Sequence, residues 1–355
     1  MPTIALVAPG PLDARTGGYI YNRRITEGLR RQGWVVNTIQ LDASFPCPTT
    51  AALQHASHAF AEIPDETITL VDSLALGALP DVITSEAPRL TIVALVHQPL
   101  VAAAGFDPNT HARLEDGERR AVGAAALVVV TGRAALPFIA RYGVPRGQVV
   151  VVEPGTDRPD LVGPIRESDS IELLCVGTVN QGKGHETLLA ALASLRDLPW
   201  RLTCAGSLSR DPVTAQRVRE TVARLRLEDR VSLVGELDGQ ALDACYGQAD
   251  VFVLATQQET YGMAVAEAVA HGLPVVATMA GAIPELVGND AGLLVPVGDT
   301  EALAESLARA LSDADLRVRL AEGARLRRNQ LPTWDEACRR MANALNQLCR
   351  AKADG

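Results

Sequence analysis

Aromatic residues are scarce in this chain of 355 residues. They make up 4% of it, whereas hydrophobic residues reach 47%, so alanine, valine and leucine carry most of the apolar content. Such a composition favours buried parallel strands covered by alanine-rich helices. Because a single core stops growing near ~250–300 residues, the length predicts two domains.

Positive charge is also in deficit. The net charge is −9 and the isoelectric point is about 5.3, which argues against a nucleic-acid partner. No apolar stretch reaches the ~18 residues that predict a transmembrane helix. Residues 1–7 have no basic stretch before their apolar run, as a signal peptide would, so they are predicted to begin the first strand. We therefore expect a cytoplasmic protein.

The six cysteines form no CxxC pair and no ligand-like cluster with histidine along the sequence. This spacing is typical of reduced, buried cysteines in a cytosolic protein. Cys175 and Cys204 fall inside strand-like runs, where cysteine acts as a small hydrophobe. No DxD-type pair and no other metal-ligand spacing is present, so we expect neither a metal ion nor another cofactor.

Short apolar runs alternate with helical segments in two successive series. Such alternation predicts, for each series, a parallel sheet covered by helices on both faces. The predicted strands are residues 3–8, 34–41, 67–72, 90–96, 126–131 and 148–152, then 171–177, 200–206, 230–235, 250–255, 274–278 and 292–295. The polar stretch from Glu153 to about Asp169 separates the two series, and we place the domain hinge there.

Two helical segments carry further signals. Thr333 and Glu336 have the spacing of a capping box, which predicts a new helix after the break at Pro332. Four arginines share a broad face of the helix after Gly18: Arg23, Arg24, Arg30 and Arg31. Such a face could touch an anionic membrane, but a solvated helix surface is the favoured interpretation.

The most informative pattern lies in residues 258–277. A helix of small apolar side chains is predicted from about Gly262 to His271. Glu267 is a carboxylate on this otherwise apolar helix, and Glu259 precedes the helix start, where an anion is favoured. These features fit a site for a polyol and a phosphate. A helix-start charge at Glu259 and a Glu267–arginine pair would explain the pattern equally well.

A second segment predicts a strand that ends at Gly177, a loop that carries Lys183, and a helix from about Gly184. A lysine beside the free N–H groups of a helix start suits a diphosphate. Taken alone, an ordinary surface lysine is the better interpretation.

Two further features follow predicted strands in the N-terminal half. Residues 9–19 form a glycine-containing loop that opens a helix, but the loop is not GxGxxG, so the pattern disfavours an NAD-dependent enzyme. His97 follows the strand at 90–96, which is a functional position in an open α/β sheet. Taken alone, a flexible turn and a structural histidine would explain both.

The pattern of residues 259–285 resembles the signature of family 4 retaining glycosyltransferases. The matching positions are Glu259 and Glu267 with seven residues between them, then Ala268, Gly272, Leu273, Pro274, Val275, Val276, Gly281, Pro284 and Glu285. The resemblance implies the GT-B fold, in which two Rossmann-like doubly wound parallel-sheet domains face each other across a cleft. Residues 1–157 would form the acceptor-side domain and residues 158–332 the donor-side domain. A C-terminal helix, 333–355, could pack back on the first domain.

The resemblance also implies roles for individual residues. Lys183 would stabilise the leaving diphosphate, Glu259 would orient hydroxyls of the transferred sugar, and His97 would face that sugar. Glu267 would bind the ribose. The remaining implied donor-site residues are Gly17, Gly18, Gly177, Thr178, Gly206, Glu236, Leu237, Tyr261, Gly262 and Met263. Thr178 departs from the family pattern, since many members have an arginine there, and Lys183 would act with less help.

The implied activity is transfer of a hexosyl group, with retention and without a metal, from a nucleotide sugar. A UDP-sugar is favoured over a GDP-sugar as the donor, and the acceptor would be a small molecule, a lipid or a glycan. Two other classes remain open. One is a further GT-B enzyme, such as a nucleotide-sugar epimerase or a phosphorylase. The other is a non-catalytic nucleotide-sugar-binding protein.

Overall fold

The computed structural model describes residues 2–102, 105–159 and 170–353. The chain forms two compact units. The first runs up to Gly155 and resumes at Pro332, and the second extends from Thr156 to Leu331. Residues 160–169 of the predicted hinge lie outside the described ranges.

The first unit is built on a parallel sheet of six strands. They are β1 (Thr3–Pro9), β2 (Val35–Leu41), β3 (Ile68–Asp72), β4 (Thr91–Val96), β5 (Leu127–Val130) and β6 (Val149–Val151). The order across the sheet is β2-β1-β3-β4-β5-β6. Every residue of β3 and β4 is buried, whereas β2 at the edge is exposed at several positions. This difference explains why the central strands are continuous apolar runs.

In the described residues of the first unit, six helices connect these strands. They are α1 (Gly17–Arg31), α2 (Thr50–Ala61), α3 (Ser73–Leu76), α4 (Pro80–Glu86), α5 (Pro108–Ala124) and α6 (Leu136–Arg141). Short 3-10 turns lie at Leu100–Ala102, Arg133–Ala135 and Arg146–Gln148.

The second unit repeats the architecture on its own sheet. Its strands are β7 (Ile171–Val176), β8 (Trp200–Ala205), β9 (Val231–Gly235), β10 (Val251–Leu254), β11 (Val275–Thr278) and β12 (Gly292–Val295). Their order is β12-β11-β10-β7-β8-β9, with all neighbours parallel. The prediction of two doubly wound parallel sheets is confirmed, and every predicted strand lies within one residue of its observed bounds.

Among the residues described, seven helices belong to the second unit. They are α7 (His185–Ala193), α8 (Pro212–Arg224), α9 (Gly239–Gln248), α10 (Met263–Ala270), α11 (Ile283–Val287), α12 (Thr300–Ser312) and α13 (Ala314–Arg327). Two 3-10 turns occupy Gln181–Lys183 and Arg328–Gln330.

The final helix, α14 (Trp334–Ala353), belongs to the first unit and packs against α1. Its start is the predicted capping box, because Glu336 accepts a hydrogen bond from the Thr333 N–H and the Thr333 hydroxyl accepts one from the Glu336 N–H. A Cβ on Gly28 would overlap the sulfur of Cys338, so the two helices approach closely there. The guanidinium of Arg24 lies over the Trp334 ring.

A buried carboxyl group ties α5 to the turn after β4. Glu118 is fully buried, and its Oε2 accepts hydrogen bonds from the Leu100 N–H and the Tyr142 hydroxyl, both at 2.9 Å. Its Oε1 has no hydrogen-bond partner in the described part of the chain. Burial raises the pKa of Glu118 to about 7, and these two hydrogen bonds only partly oppose the rise.

The raised pKa makes the stability of the first unit depend on pH. A protonated Glu118 stabilises the fold fully below its unfolded pKa, and this contribution is lost as the pH rises through 7. We therefore expect the wild-type protein to lose roughly 2–3 kcal/mol of unfolding free energy between pH 5 and pH 8, relative to Glu118→Gln. Urea denaturation at several pH values measures the difference. The exposed Asp116→Asn on the same helix is the control, and parallel pH curves for Glu118→Gln and wild type would contradict the prediction.

Candidate functional site

Two loops flank the point where the strand order of the second sheet reverses. From β7 the chain proceeds through β8 to β9 on one side of the sheet, and from β10 through β11 to β12 on the other. Open α/β sheets bind ligands at such a reversal, outside the carboxyl ends of the strands. The loop after β7 carries Lys183, and the loop after β10 carries Glu259.

The loop after β7 is held in one conformation. The side chain of Asn180 accepts a hydrogen bond from the Lys183 N–H at 3.2 Å and so caps the 3-10 turn. Gly184 has φ +67°, and a Cβ there would overlap the carbonyl oxygen of Ala255. Glycine is therefore required both for the left-handed backbone and for the close approach of the two loops.

The loop after β10 is hydrogen-bonded to the loop after β7. The Gln257 N–H and the Thr256 hydroxyl both donate to the carbonyl oxygen of Gly182, at 2.8 and 3.0 Å. The carbonyl oxygen of Glu259 in turn accepts from the Ala282 N–H at 3.2 Å. The backbones that carry Lys183 and Glu259 are thus fixed relative to each other.

The side chains of Lys183 and Glu259 form an ion pair at this position. The Lys183 side chain is 26% exposed and the Glu259 side chain 12%, so both are sheltered but reachable from solvent. The chain contains only two lysines, Lys183 and Lys352, among 33 basic residues. A lysine ammonium group contacts a phosphate as a point charge on a flexible side chain, so it can exchange one anionic partner for another. The planar guanidinium of an arginine binds in a more fixed geometry.

A helix start lies beside the ion pair. Gly262, at φ +96°, precedes α10, whose first N–H groups have no acceptor within the helix. Tyr261 and Gly262 are buried and Met263 is half-buried. The hydroxyl oxygen of Thr260 is buried with no hydrogen-bond partner among the residues described. This arrangement offers backbone and hydroxyl donors to an anion.

Glu267 lies further along α10 and accepts a hydrogen bond from the Tyr246 hydroxyl at 2.9 Å. Tyr246 is buried and stacks on His271, with ring centroids 4.6 Å apart. Burial first, and the negative charge of Glu267 second, raise the pKa of Tyr246 well above its usual value. Tyr246 therefore remains a neutral donor that orients the carboxylate of Glu267.

The other predicted donor-site residues follow the neighbouring strands. Backbone hydrogen bonds join their loops: the Gly177 N–H donates to Ala205, and the Gly206 N–H donates to Gly235. Residues Gly177, Thr178, Gly206, Glu236 and Leu237 thus lie at the carboxyl edge formed by β7, β8 and β9. Glu236 is exposed, and its carboxylate lies 3.7 Å from the guanidinium of Arg210.

The first unit presents its own group of predicted residues at the reversal between β1 and β3. Gly17 and Gly18 begin α1 after β1, and His97 follows β4. A Cβ on Gly18 would lie 3.2 Å from the imidazole ring, so the glycine allows His97 to sit against the helix start.

Two residues that the sequence did not suggest hold this imidazole. The Nε2 atom of His97 lies 3.0 Å from Asn22 Oδ1 and 3.2 Å from Asp72 Oδ2. Both neighbours are acceptor oxygens, because the Asn22 amide donates to Asp72 at 2.8 Å. The proton of a neutral His97 must therefore be on Nε2. Burial favours a higher pKa for Asp72, but hydrogen bonds from His97, the Leu74 N–H and Asn22 hold that pKa below its usual value.

The structure brings together three residues that are not close in the sequence pattern. The side chains of Cys175, His185 and Cys204 form a cluster, and all three residues are buried. Their spacing along the chain matches no common metal motif, so only the pairing of β7 with β8 reveals it.

The arginines of α1 are engaged within the first unit. Arg23 donates to the Leu12 carbonyl and Arg30 to the Val36 carbonyl, while Arg24 lies over Trp334. In the described ranges, no helix is both long and apolar enough to cross a membrane.

Comparison with known proteins agrees with this architecture. Sucrose-phosphate synthase from Thermosynechococcus elongatus superposes with a TM-score of 0.84 at 24% identity, over 99% of this chain and 100% of that one. Anabaena HepE in complex with UDP and glucose superposes with a TM-score of 0.74 at 18% identity, over 97% and 99%. These likenesses establish the fold class, which is GT-B.

The sequence comparisons show similarity to glycosyltransferases over part of the chain. Residues 162–327 match the family model described as glycosyl transferases group 1. A D-inositol 3-phosphate glycosyltransferase of Xylanimonas cellulosilytica is 30% identical over 266 residues, which cover 70% of this chain and 63% of the relative. One from Saccharomonospora viridis is 31% identical over 240 residues, or 63% and 56%. The chain thus spans about three fifths of the length of these relatives. The matched region, residues 162–327, is thus similar to the glycosyl transferases group 1 family.

The His97 network generates a prediction. Asp72→Asn removes a charged acceptor from the buried hydrogen bonds that join Asp72, Asn22 and His97. We therefore expect the free energy of unfolding to fall by about 1–3 kcal/mol. Nitrogen NMR of the wild-type imidazole should show the Nε2–H tautomer, and the variant should lose part of it. Urea denaturation measures the free energy of unfolding of both proteins. Asp42→Asn is the control, because the Asp42 carboxylate accepts a bond from the Ser44 N–H at an exposed position. An Nδ1–H tautomer in the wild type would contradict the assignment.

Proposed function

We propose that the protein is a retaining hexosyltransferase whose second unit binds a nucleotide-diphosphate sugar, with a UDP-sugar favoured. The observation that carries the proposal is the Lys183–Glu259 ion pair beside the start of α10, at the strand-order reversal of the second sheet. A cation, a helix start and a carboxylate together match the diphosphate and hydroxyl groups of such a donor.

Donor binding would rearrange the ion pair. The diphosphate would take the Lys183 ammonium and the N–H groups at Tyr261, Gly262 and Met263. Glu259, freed from part of its pairing, would accept hydrogen bonds from hydroxyls of the transferred sugar. The ion pair would therefore hold both side chains in place until the ligand arrives, which lowers the ordering cost of binding.

The transfer breaks the bond between the anomeric carbon and the phosphate oxygen and forms a bond from that carbon to an acceptor oxygen. The acceptor proton passes to the leaving phosphate. Negative charge grows on the diphosphate as the bond breaks, and Lys183 with the start of α10 would stabilise it. These fixed groups would serve without a metal ion. Contact of His97 and the Gly17–Gly18 loop with the sugar belongs to the same proposal and rests on the family resemblance.

The proposed donor base and acceptor are based on the ligands and names of similar proteins. The HepE structures contain UDP or UDP-glucose, which supports uridine. Glu267, oriented by Tyr246, would bind the ribose hydroxyls. The named relatives act on D-inositol 3-phosphate, so a small phosphorylated polyol is the first acceptor to test, with lipids and glycans next.

Donor binding can be followed at a single lysine. Reductive methylation with labelled carbon keeps the charge of each lysine and gives it an NMR signal. We expect UDP to shift the Lys183 signal and not that of Lys352, which the Lys352→Arg variant assigns. UDP at ~100 times its dissociation constant should also stabilise the protein by about 2.7 kcal/mol.

Variants test which part of the nucleotide, the diphosphate or the nucleoside, each side chain binds. Lys183→Ala should weaken UDP more than uridine monophosphate, while Glu267→Gln should weaken both. Tyr246→Phe should resemble Glu267→Gln, because it removes the hydroxyl that orients the carboxylate. GDP, ADP, TDP and NAD serve as comparison ligands. Unchanged affinity for UDP in all three variants would overturn the donor site.

Transfer is tested with the favoured donor and an acceptor panel in the presence of EDTA. We expect product with the same anomeric configuration as the donor, read by proton NMR. Lys183→Ala should lower turnover by about 10²–10³ through lost charge stabilisation, and Glu259→Ala by about tenfold or more through lost orientation. Donor binding without transfer or hydrolysis would favour the non-catalytic class, and an inverted product would refute retention.

A further inference from the structure

Beneath the Lys183 loop lies a cluster of soft ligand groups that the proposed reaction does not use. Cys175 in β7 pairs directly with Cys204 in β8, and His185 is the first residue of α7. The three residues are 0%, 3% and 3% exposed. Their two sulfurs and the imidazole nitrogen all lie within 4.8 Å of one another.

This spacing is close to that of a three-ligand metal site. Zinc bonds of about 2.3 Å to sulfur and 2.0–2.1 Å to nitrogen place tetrahedral ligand atoms about 3.6–3.8 Å apart. The Cys175 sulfur and the His185 Nε2 atom are 3.8 Å apart. The cluster therefore needs only small side-chain shifts to bind one cation.

The imidazole is buried without a conventional hydrogen-bond partner. Its Nε2 atom faces the Cys175 sulfur, and Nδ1 has no hydrogen-bond partner in the part of the chain that the structure describes. A buried polar group of this kind costs free energy unless something binds it. Coordination through Nε2 would replace the weak contact with the Cys175 sulfur by a metal bond, while Nδ1 keeps the ring proton.

The charges also suit a divalent cation. Two thiolates and a neutral imidazole would neutralise a doubly charged cation, so that a neutral site remains in the core. Two thiolates with one imidazole select thiophilic metals over magnesium or calcium.

We propose that Cys175, His185 and Cys204 form a site for a thiophilic divalent cation, with zinc as the ion to test. Binding one Zn²⁺ forms two zinc–sulfur bonds and one zinc–nitrogen bond and releases the two thiol protons. The ion links β7, β8 and the first turn of α7. Because His185 lies two residues after Lys183, the ion also fixes the end of the loop that carries the ammonium group.

The same two sulfurs suggest a competing chemistry. Cys175 and Cys204 are opposite each other on adjacent strands, so an oxidant could join them as a disulfide. The buried histidine favours the cation, because a disulfide would leave the imidazole with no polar neighbour at Nε2. The experiment must therefore separate the two.

The test uses the full chain, purified with reductant and equilibrated with buffered Zn²⁺. We expect about one zinc per chain by elemental analysis, released when an organomercurial titrates the thiols. Cobalt in place of zinc should show a thiolate-to-metal charge-transfer band. Cys204→Ala should weaken zinc binding at least about 100-fold, since it removes a ligand rather than an outer partner. Cys245→Ala, a half-buried cysteine of α9 outside the cluster, should leave it unchanged.

The outcomes separate cleanly. Loss of zinc in Cys204→Ala alone, with an unchanged far-ultraviolet spectrum, supports the site. If that variant fails to fold, two measurements on the wild type still test the site: zinc release by the organomercurial and the cobalt charge-transfer band. Absence of bound zinc in the reduced wild type, or equal zinc in both variants, overturns the proposal. A wild type that binds no zinc even when reduced, and loses two titratable thiols on mild oxidation, assigns the pair to a disulfide instead.

Discussion

The candidate site depends on the parallel pairing of β7 with β10. These strands are far apart in the sequence but adjacent in the second sheet, and their carboxyl ends emerge side by side. The loops that follow are then joined through the carbonyl oxygen of Gly182 and through the contact of Gly184 with Ala255. A lysine and a glutamate separated by 76 positions form an ion pair only because of this arrangement.

Much of the fold could be predicted from local signals. Strands buried on both faces read as continuous apolar runs, and glycines and prolines mark where they end. The central strands β3, β4, β10 and β11 are buried at every position, which is why their bounds were predictable to within one residue. The start of α14 was equally local, because a capping box is complete within four residues.

The partners of the site residues could not be predicted in the same way. Asp72 holds His97, and Tyr246 holds Glu267, across strand pairings or helix packing that no local pattern encodes. The sequence suggested an arginine as a partner of Glu267, but it gave no sign of the tyrosine in α9 that donates a hydrogen bond to this carboxylate. The cysteine and histidine cluster was missed for a related reason. Cys175 and Cys204 looked like apolar strand residues, and only the strand register places them opposite each other.

The position of α14 bears on how the chain is made. The chain leaves the first unit after Gly155 and returns to it at Pro332, so the second unit is inserted within the first. During synthesis the strands of the first sheet emerge early, yet the helix that packs on α1 emerges only after the whole second unit. The face of α1 that carries Gly28 and Tyr21 therefore lacks its packing partner, α14, until the end of synthesis. The inserted unit has all of its own residues at hand sooner and can complete its core first, which gives the nascent chain a defined order of folding.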